Sequence, residues 1–393
     1  MRKIFVEINP GSWKTIQELA STRGRLRTAF WKRLDGGRLR YTHAPIRFFY
    51  DDPYWALLAS YVSGDGDLTR DSGVRFYDRE RDTLDVIRKT VSEKLEYEFP
   101  RPSFQLNQYG RGEWVIQTRH SAVHFILTEF YRIPIGRKKR GASLPLPILI
   151  SKNTEVKRAA IAGSISSDGY VSSHKSKGRF IPTIGVLSTI SAVKACAIYR
   201  LLKDLGYHSD MFTSTYPSPF TGRPVTQIGV VVHRHFEVVQ LFFDTMPYLV
   251  KPSRVQKWLQ LLADTDFYKR VRIRSPRIPP LLRKASMKTS GHRRRYLHIL
   301  VDIASLHGIG VGLWGAKHWT KTHRVGSVPL PVIVECCRIL GENLLDYVSA
   351  HLAPVLWLHE AIDYGSLVAL RGIEPVLDIE RMATALFKSS RSG

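Results

Sequence analysis

Two nine-residue segments of this chain, LASYVSGDG at Leu58–Gly66 and IAGSISSDG at Ile161–Gly169, align without a gap at an offset of roughly 100 residues. This duplication constrains the fold most, because the surroundings of each copy are duplicated too. Upstream of the first copy, Asp52 can cap a helix and Pro53 suits its first position. Upstream of the second, Asn153 is the equivalent cap. One helix is therefore expected from Pro53 to Asp65 and another from Asn153 to Asp168. Gly66 and Gly169 follow them, able to adopt the left-handed conformation found after many helices.

Downstream, the two copies agree in kind although their side chains differ. A strand is expected near Val74–Tyr77, and then a helix whose Leu84, Ile87, Val91 and Leu95 recur at helical spacing. In the second copy a hairpin across Tyr170–Leu187 precedes a helix with Ile198, Leu201, Leu202 and Leu205 on one face. Alternating segments, EWVIQTRH and TQIGVVVHRH, read as strands, and each runs into an apolar helix, SAVHFILTEFY or FEVVQLFFDTM. A basic stretch closes each unit, at Arg132–Arg140 and Lys251–Lys257. The order helix, strands, helix, strands, helix is thus written twice, predicting two small α/β (α+β) units over 51–150 and 151–270.

Asp65 and Asp168 stand out within this repeat. A carboxylate at a helix C-terminus faces the negative end of the dipole, at a cost of about 0.3–1 kcal/mol when exposed. Asp-Gly is a common turn signal, which explains either aspartate alone but not their recurrence in matched contexts. The small residues Ala59, Ser60, Ala162 and Gly163 would let two helices approach closely and bring both helix ends together. Two carboxylates at one point repel unless a cation lies between them, and hard divalent ions such as Mg²⁺ take carboxylate, water and phosphate oxygens. The arrangement points to metal-assisted phosphodiester hydrolysis.

Charge agrees with a polyanionic partner. Lys and Arg number 59 against 34 Asp and Glu, a formal net charge of +25. No stretch approaches the roughly 20 apolar residues of a membrane span and the N-terminus lacks a signal-peptide run, so an intracellular (cytoplasmic) protein with no membrane partner is expected. Cys196, Cys336 and Cys337 lack metal-ligand spacing, which argues against zinc and structural disulfides.

LASYVSGDG and IAGSISSDG resemble the paired signature helices of LAGLIDADG homing endonucleases, and the likeness spans about Asp51 to Lys269. The resemblance implies two pseudo-symmetric subdomains in one chain, acting as a monomer, with antiparallel sheets forming a saddle over the DNA major groove. It also implies that Asp65 and Asp168, the final acids of the motifs, bind the catalytic Mg²⁺, with Mn²⁺ as a substitute. Basic or polar strand residues near the scissile phosphates would be Gln117 and Arg119 in the first half and His233 and Arg234 in the second. The expected activity is double-strand cleavage of DNA at a long asymmetric target, from a free-standing or intron-encoded protein. Ser63 and Ser166 replace the earlier acid of each motif, and Ser60 stands where glycine is usual. Two alternatives stay open: a non-cleaving DNA-binding transcription regulator on the same scaffold, and a splicing maturase whose partner is intron RNA. His120 and His235, which recur before the closing helices, read as caps or packing residues.

The flanks extend the basic theme. Phe267–Arg295 holds eleven Lys or Arg and no Asp or Glu. It reads as a linker over 271–295 that tracks phosphates. Residues 296–393 read as a helical domain with a Gly-containing turn at Gly308–Gly310, resembling phage-repressor helix-turn-helix domains. That places Lys317, His318, Lys321 and Arg324 near DNA, along with Arg137, Lys138, Lys139 and Arg140 of the first basic stretch. Residues 1–50 read as a basic, partly helical accessory segment.

Overall fold

A computed structural model of the chain describes residues 51–71, 73–95, 97–107, 110–136, 143–176, 179–217, 222, 224–290, 295–321, 326–372 and 375–390. Of residues 1–50 it describes the backbone of four strands. These are β1 (Phe5–Asn9), β2 (Ser12–Thr15), β3 (Leu26–Arg33) and β4 (Leu39–Phe48), an antiparallel sheet in the order β2-β1-β3-β4. Four strands therefore stand within the segment expected to be partly helical, while its residues 16–25 and 34–38 fall outside the described residues. LRTAFWKR and LRYTHAPIRF carry the aromatic and β-branched residues that suit strands, and each finds a partner in the other.

At the centre lie α1 (Pro53–Asp65) and its counterpart in the second half, Thr154–Asp168. Asp52 caps the first by accepting from the Tyr54 amide at 2.7 Å, and Asn153 caps the second by accepting from the Glu155 amide at 2.9 Å. Every residue from Trp55 to Ser63 is buried. A helix enclosed on all sides belongs inside a larger body rather than on its surface.

The rest of the first half is β5 (Gly66–Leu68), β6 (Val74–Asp78), α2 (Arg81–Leu95), β7 (Ser103–Leu106), β8 (Gly112–Thr118) and α3 (Ser121–Phe125), which continues as a π-turn over Ile126–Phe130. A short helix, α4 (Leu146–Ile150), leads into the central helix of the second half, α5 (Thr154–Asp168). Then come β9 (Tyr170–Ser176), β10 (Arg179–Thr189), α6 (Ala192–Asp204), β11 (Asp210–Pro217), β12 (Pro224–Val232) and α7 (His235–Thr245). The sheets run β5-β6-β8-β7 and β9-β10-β12-β11, both wholly antiparallel, so corresponding strands occupy corresponding places. The expected order of elements is therefore present in both halves. The hairpins differ in reach, because β5 has 3 residues and β9 has 7.

Two helices, α8 (Pro252–Ala263) and α9 (Thr265–Arg270), lead into the remainder. It comprises β13 (Arg272–Ile273), α10 (Ile278–Ser290), α11 (Tyr296–Leu306), α12 (Leu313–Trp319), β14 (Val328–Pro329), α13 (Leu330–Leu340), α14 (Ala353–Leu358), α15 (Tyr364–Arg371) and α16 (Ile379–Ser390). Within the linker expected over 271–295, the described residues form β13 and α10. Ile278, Leu281, Leu282 and Ala285 are buried while Arg283, Lys284 and Lys288 stay exposed. The segment is an amphipathic helix whose outer face carries the charge.

A half-buried ionic cluster fastens this region to the second half. Arg158 on α5 lies 2.6 Å from Glu155 and 2.7 Å from Asp244 of α7, and Arg371 at the end of α15 lies 2.7 Å from Glu155. Burial alone would raise the Glu155 carboxyl, but Arg371, Tyr248 and Arg158 together hold it below its ordinary value. The carboxylate's contribution is therefore present at neutral pH and lost only as pH falls through that lowered value. Arg371→Ala is expected to cost about 2 kcal/mol at neutral pH, discounted from a fully buried pair because Glu155 is partly exposed. The midpoint of urea unfolding measures it. A loss within the scatter of surface mutants would mean that this contact does not fasten the helix.

Candidate active site

Parallel alignment of α1 and α5 brings both aspartates to the same end of the helix pair. At the helix starts, Ser151 donates to Asp51 at 2.8 Å and the Asn153 side chain donates to the Asp51 carbonyl at 3.3 Å. Midway, Ser60 Oγ donates to the Ala160 carbonyl at 2.6 Å and lies 3.2 Å from Ser164 Oγ. At the ends, a Cβ on Gly64 would collide with the Ser167 side chain and stand 2.8 Å from Asp168 Oδ2. Starts meet starts and ends meet ends, so Asp65 and Asp168 lie at the same end of the pair.

The small residues singled out from the sequence make this approach possible. A Cβ on Gly163 would sit 2.7 Å from the Leu57 carbonyl and 2.9 Å from Ser60 Cβ. Gly66 and Gly169, expected in the left-handed region, are instead extended, with φ/ψ of −141°/174° and −85°/−178°. Close approach accounts for glycine at both. A Cβ on Gly66 would lie 2.7 Å from the Arg75 carbonyl on β6, and one on Gly169 would press on the Gly185 carbonyl of β10. Each helix therefore turns straight into a strand without a conventional left-handed cap.

Asp65 lines a cleft of about 540 Å³ together with Asp78, Glu80, Lys251, Arg254 and Lys257. Asp168 is held by Lys194, the third residue of α6, whose Nζ lies 2.9 Å from Asp168 Oδ2 and 3.1 Å from the Ser63 carbonyl. Only 3% of the Lys194 side chain is exposed against 22% of Asp168, and its contact with the Ser63 carbonyl ties the two halves together at the acidic end. Arg254 donates from Nη2 to the Ser167 carbonyl at 2.8 Å. Its Nη1 is buried without a hydrogen-bond partner. Burial pulls the Arg254 guanidinium below its ordinary value, and Asp65, Asp78 and Asp168 nearby oppose that shift. Asp78, itself buried, accepts from Lys251 at 2.8 Å and from the Tyr61 hydroxyl at 2.9 Å.

Lys194, Lys251 and Arg254 were not assigned to this site from the sequence. KPSRVQK was legible as a basic stretch, but its place beside α1 depends on how α8 packs. Lys194 is the third residue of an amphipathic helix and gave no local signal. Replacing it by methionine leaves the Asp168 carboxylate without its buried cation. A loss of about 2 kcal/mol is expected, below the 3–5 kcal/mol of a fully buried pair because Asp168 is partly exposed. Urea denaturation beside Lys157→Met, which removes the more exposed Lys157–Asp204 pair, would read it. Equal losses in the two variants would remove any special role for Lys194.

The other residues picked out from sequence lie elsewhere. Gln117 is exposed on β8 opposite Arg75, whose guanidinium is tied to Asp67 at 2.7 Å. Arg119 is 72% exposed and 3.6 Å from Asp71. His233 pairs with Asp210 at 3.2 Å and Arg234 with Glu237 at 3.6 Å, beside a second cleft. None of these four lines the cleft at Asp65. Lys317 and His318 lie on α12 and Lys321 just beyond it, after a turn in which Gly308 has φ +64°. Trp314 is 76% exposed on the same helix, 4.1 Å between ring centroids from His318. Arg137, Lys138, Lys139, Arg140 and Arg324 fall outside the described residues. His120 and His235 pack against aromatic rings, Tyr97 and Phe267 respectively.

Among the described residues no group of three or more His, Cys, Asp or Glu is placed to hold a metal ion. Hydrated Mg²⁺ and Mn²⁺ use one or two carboxylates and take their other ligands from water and phosphate. Among the described residues no helix is long and apolar enough to cross a membrane.

No family model matches the chain, and no curated protein matches it. Among solved structures it is similar to the homing endonuclease I-WcaI bound to its DNA recognition sequence. The identity is 12% and the TM-score 0.36, over 54% of this chain and 88% of that one.

Proposed function

We propose that this chain binds double-stranded DNA across its two core sheets and hydrolyses both strands at the paired aspartates, as a single-chain endonuclease of the LAGLIDADG type. One observation carries the reading. Asp65 and Asp168, written in separate halves, arrive at the same end of α1 and α5, beside an arginine with a buried, unpartnered N–H. An oxyanion such as a phosphodiester oxygen would satisfy that donor, and the carboxylates would then share the site with the ion that neutralises them.

Asp65 and Asp168 would hold Mg²⁺ or Mn²⁺, which supplies Lewis acidity toward water and the phosphodiester. Arg254 would hold a non-bridging oxygen, and Lys251 would keep the Asp78 carboxylate neutralised beside it. Exposed Gln117 and Arg119 suit contacts with the DNA itself. Both acids belong to one chain, so the site needs no second copy and can act on an asymmetric target.

A second reading, a DNA-binding regulator without cleavage, is favoured by the Lys194–Asp168 pair, because that carboxylate already has a cation. Selection decides between them. Fragments bound from a random-plus-genomic duplex library in Ca²⁺ are transferred to Mg²⁺ and examined for double-strand breaks. Breaks at one site support the endonuclease. Specific capture without breaks in Mg²⁺ or Mn²⁺ supports the regulator, and preference for RNA over duplex supports a maturase.

A further inference from the structure

The second cleft, of about 420 Å³, is lined by Phe180, Ile181, His233, Arg234, His235, Phe236, Arg270 and Arg272. It brings four of the basic residues of two distant segments, the end of β12 and the α9–β13 junction, to one wall, and no carboxylate lines it. His233 and Arg234 are balanced by Asp210 and Glu237 outside that lining. Arg272 donates to the Ser327 carbonyl at 3.3 Å and has no carboxylate partner among the described residues. Burial, with Arg270 beside it, pushes His235 down to about 4, so the ring is neutral at pH 7. Its Nε2 is buried without a hydrogen-bond partner. Phe180, Ile181 and Phe236 supply apolar surface.

We infer that this cleft is a binding site for the sugar-phosphate backbone of duplex DNA, with Arg270 and Arg272 as the phosphate contacts. The inference rests on the DNA-binding reading above, and it assigns His233 and Arg234 to backbone binding instead of to the reaction. Cationic groups against apolar walls suit alternating phosphate and deoxyribose better than a free anion. Two lysines outside the lining lie on elements that supply it or pair with them. Lys175 on β9 reaches to 3.7 Å from Asp266 of α9, and Lys269 Nζ stands 3.0 Å from the position of a Cβ on Gly308, in the turn between α11 and α12. A duplex lying on the second core sheet could thus continue toward α12.

Fluorescence anisotropy with a mixed-sequence 30-base-pair duplex, repeated over a series of NaCl concentrations, tests this on the full chain. Each phosphate contact contributes about 0.9 to the slope of log K against log[salt]. Arg270→Gln/Arg272→Gln is expected to flatten that slope by about 1.8 and to weaken binding about 10-fold at 0.15 M salt. Arg270→Lys/Arg272→Lys should keep most of the slope, and Arg381→Gln, an exposed arginine on α16, should keep all of it. An unchanged slope in the Gln double variant, while the wild type binds duplex, overturns the cleft assignment alone. Failure of the wild type to bind duplex overturns it together with the DNA-binding reading. Saturable binding of inorganic phosphate, lost in the double variant whose duplex slope is unchanged, would make this a small-anion site and also overturn the proposal.

Discussion

Asp65→Asn is expected to slow Mg²⁺-dependent cleavage about 10³-fold while leaving duplex affinity equal or higher. Metal stabilisation of charge in phosphodiester hydrolysis contributes several kcal/mol, and each 1.36 kcal/mol is about tenfold in rate. The substitution is isosteric, so the α1–α5 contact survives. It also removes a negative charge from a cleft proposed to hold phosphate, which sets the sign of the affinity change. Asp168→Asn should lose cleavage as well, but with an added cost in stability, since Lys194 Nζ, 2.9 Å from that carboxylate, would be left buried without its anion. Single-turnover cleavage of the selected duplex in Mg²⁺, set beside binding in Ca²⁺, separates the two effects. Wild-type cleavage that persists in both variants would remove the aspartates from the mechanism.

Gly163→Val should destabilise the protein by about 3 kcal/mol or more, as an overpacked core substitution of the severe kind. The argument turns on sign. Glycine inside a helix is normally worse than alanine by about 1 kcal/mol, so helix propensity predicts that Gly163→Ala stabilises. At this position the new Cβ would lie 2.7 Å from the Leu57 carbonyl and 3.2 Å from the Tyr61 amide, and backbone cannot rotate out of the way. Gly163→Ala is therefore expected to lose about 2 kcal/mol despite its propensity gain. Gly315→Ala on α12, whose Cβ would meet only the Val311 side chain, should be neutral or stabilising. Urea midpoints for the three variants give the comparison. A stabilised Gly163→Ala would mean that α1 and α5 can separate without loss, and the shared acidic end would lose its physical basis.

Much of the core is legible in the sequence because it depends on local rules. Asp52-Pro53 and Asn153 announced the two central helices, and period-2 and period-3.6 patterns marked β6, β8, β12, α2, α6 and α7. The strands β7 and β11 gave weaker signals. All eight residues of β11 are exposed, so no alternation of buried and open positions is imposed on its sequence. The amphipathic α10 was hidden for the opposite reason, because its outward lysines and arginines dominate the composition.

The site divides along the same line. Sequence by itself determined that two aspartates recur at matched helix ends among small residues, since a duplicated segment preserves chemistry and spacing together. Only the tertiary structure decided what surrounds them. Lys194 comes from α6 and Lys251 and Arg254 from the start of α8, and at the other end of α5 the ionic cluster joins Arg158, Asp244 and Arg371 from helices far apart in the chain. It also placed His233 and Arg234 beside a second cleft, and showed that Gly66 and Gly169 serve the passage of neighbouring strands. Contacts between distant segments are set by how helices pack and which strand ends meet, and those distances leave no periodic trace in the order of residues.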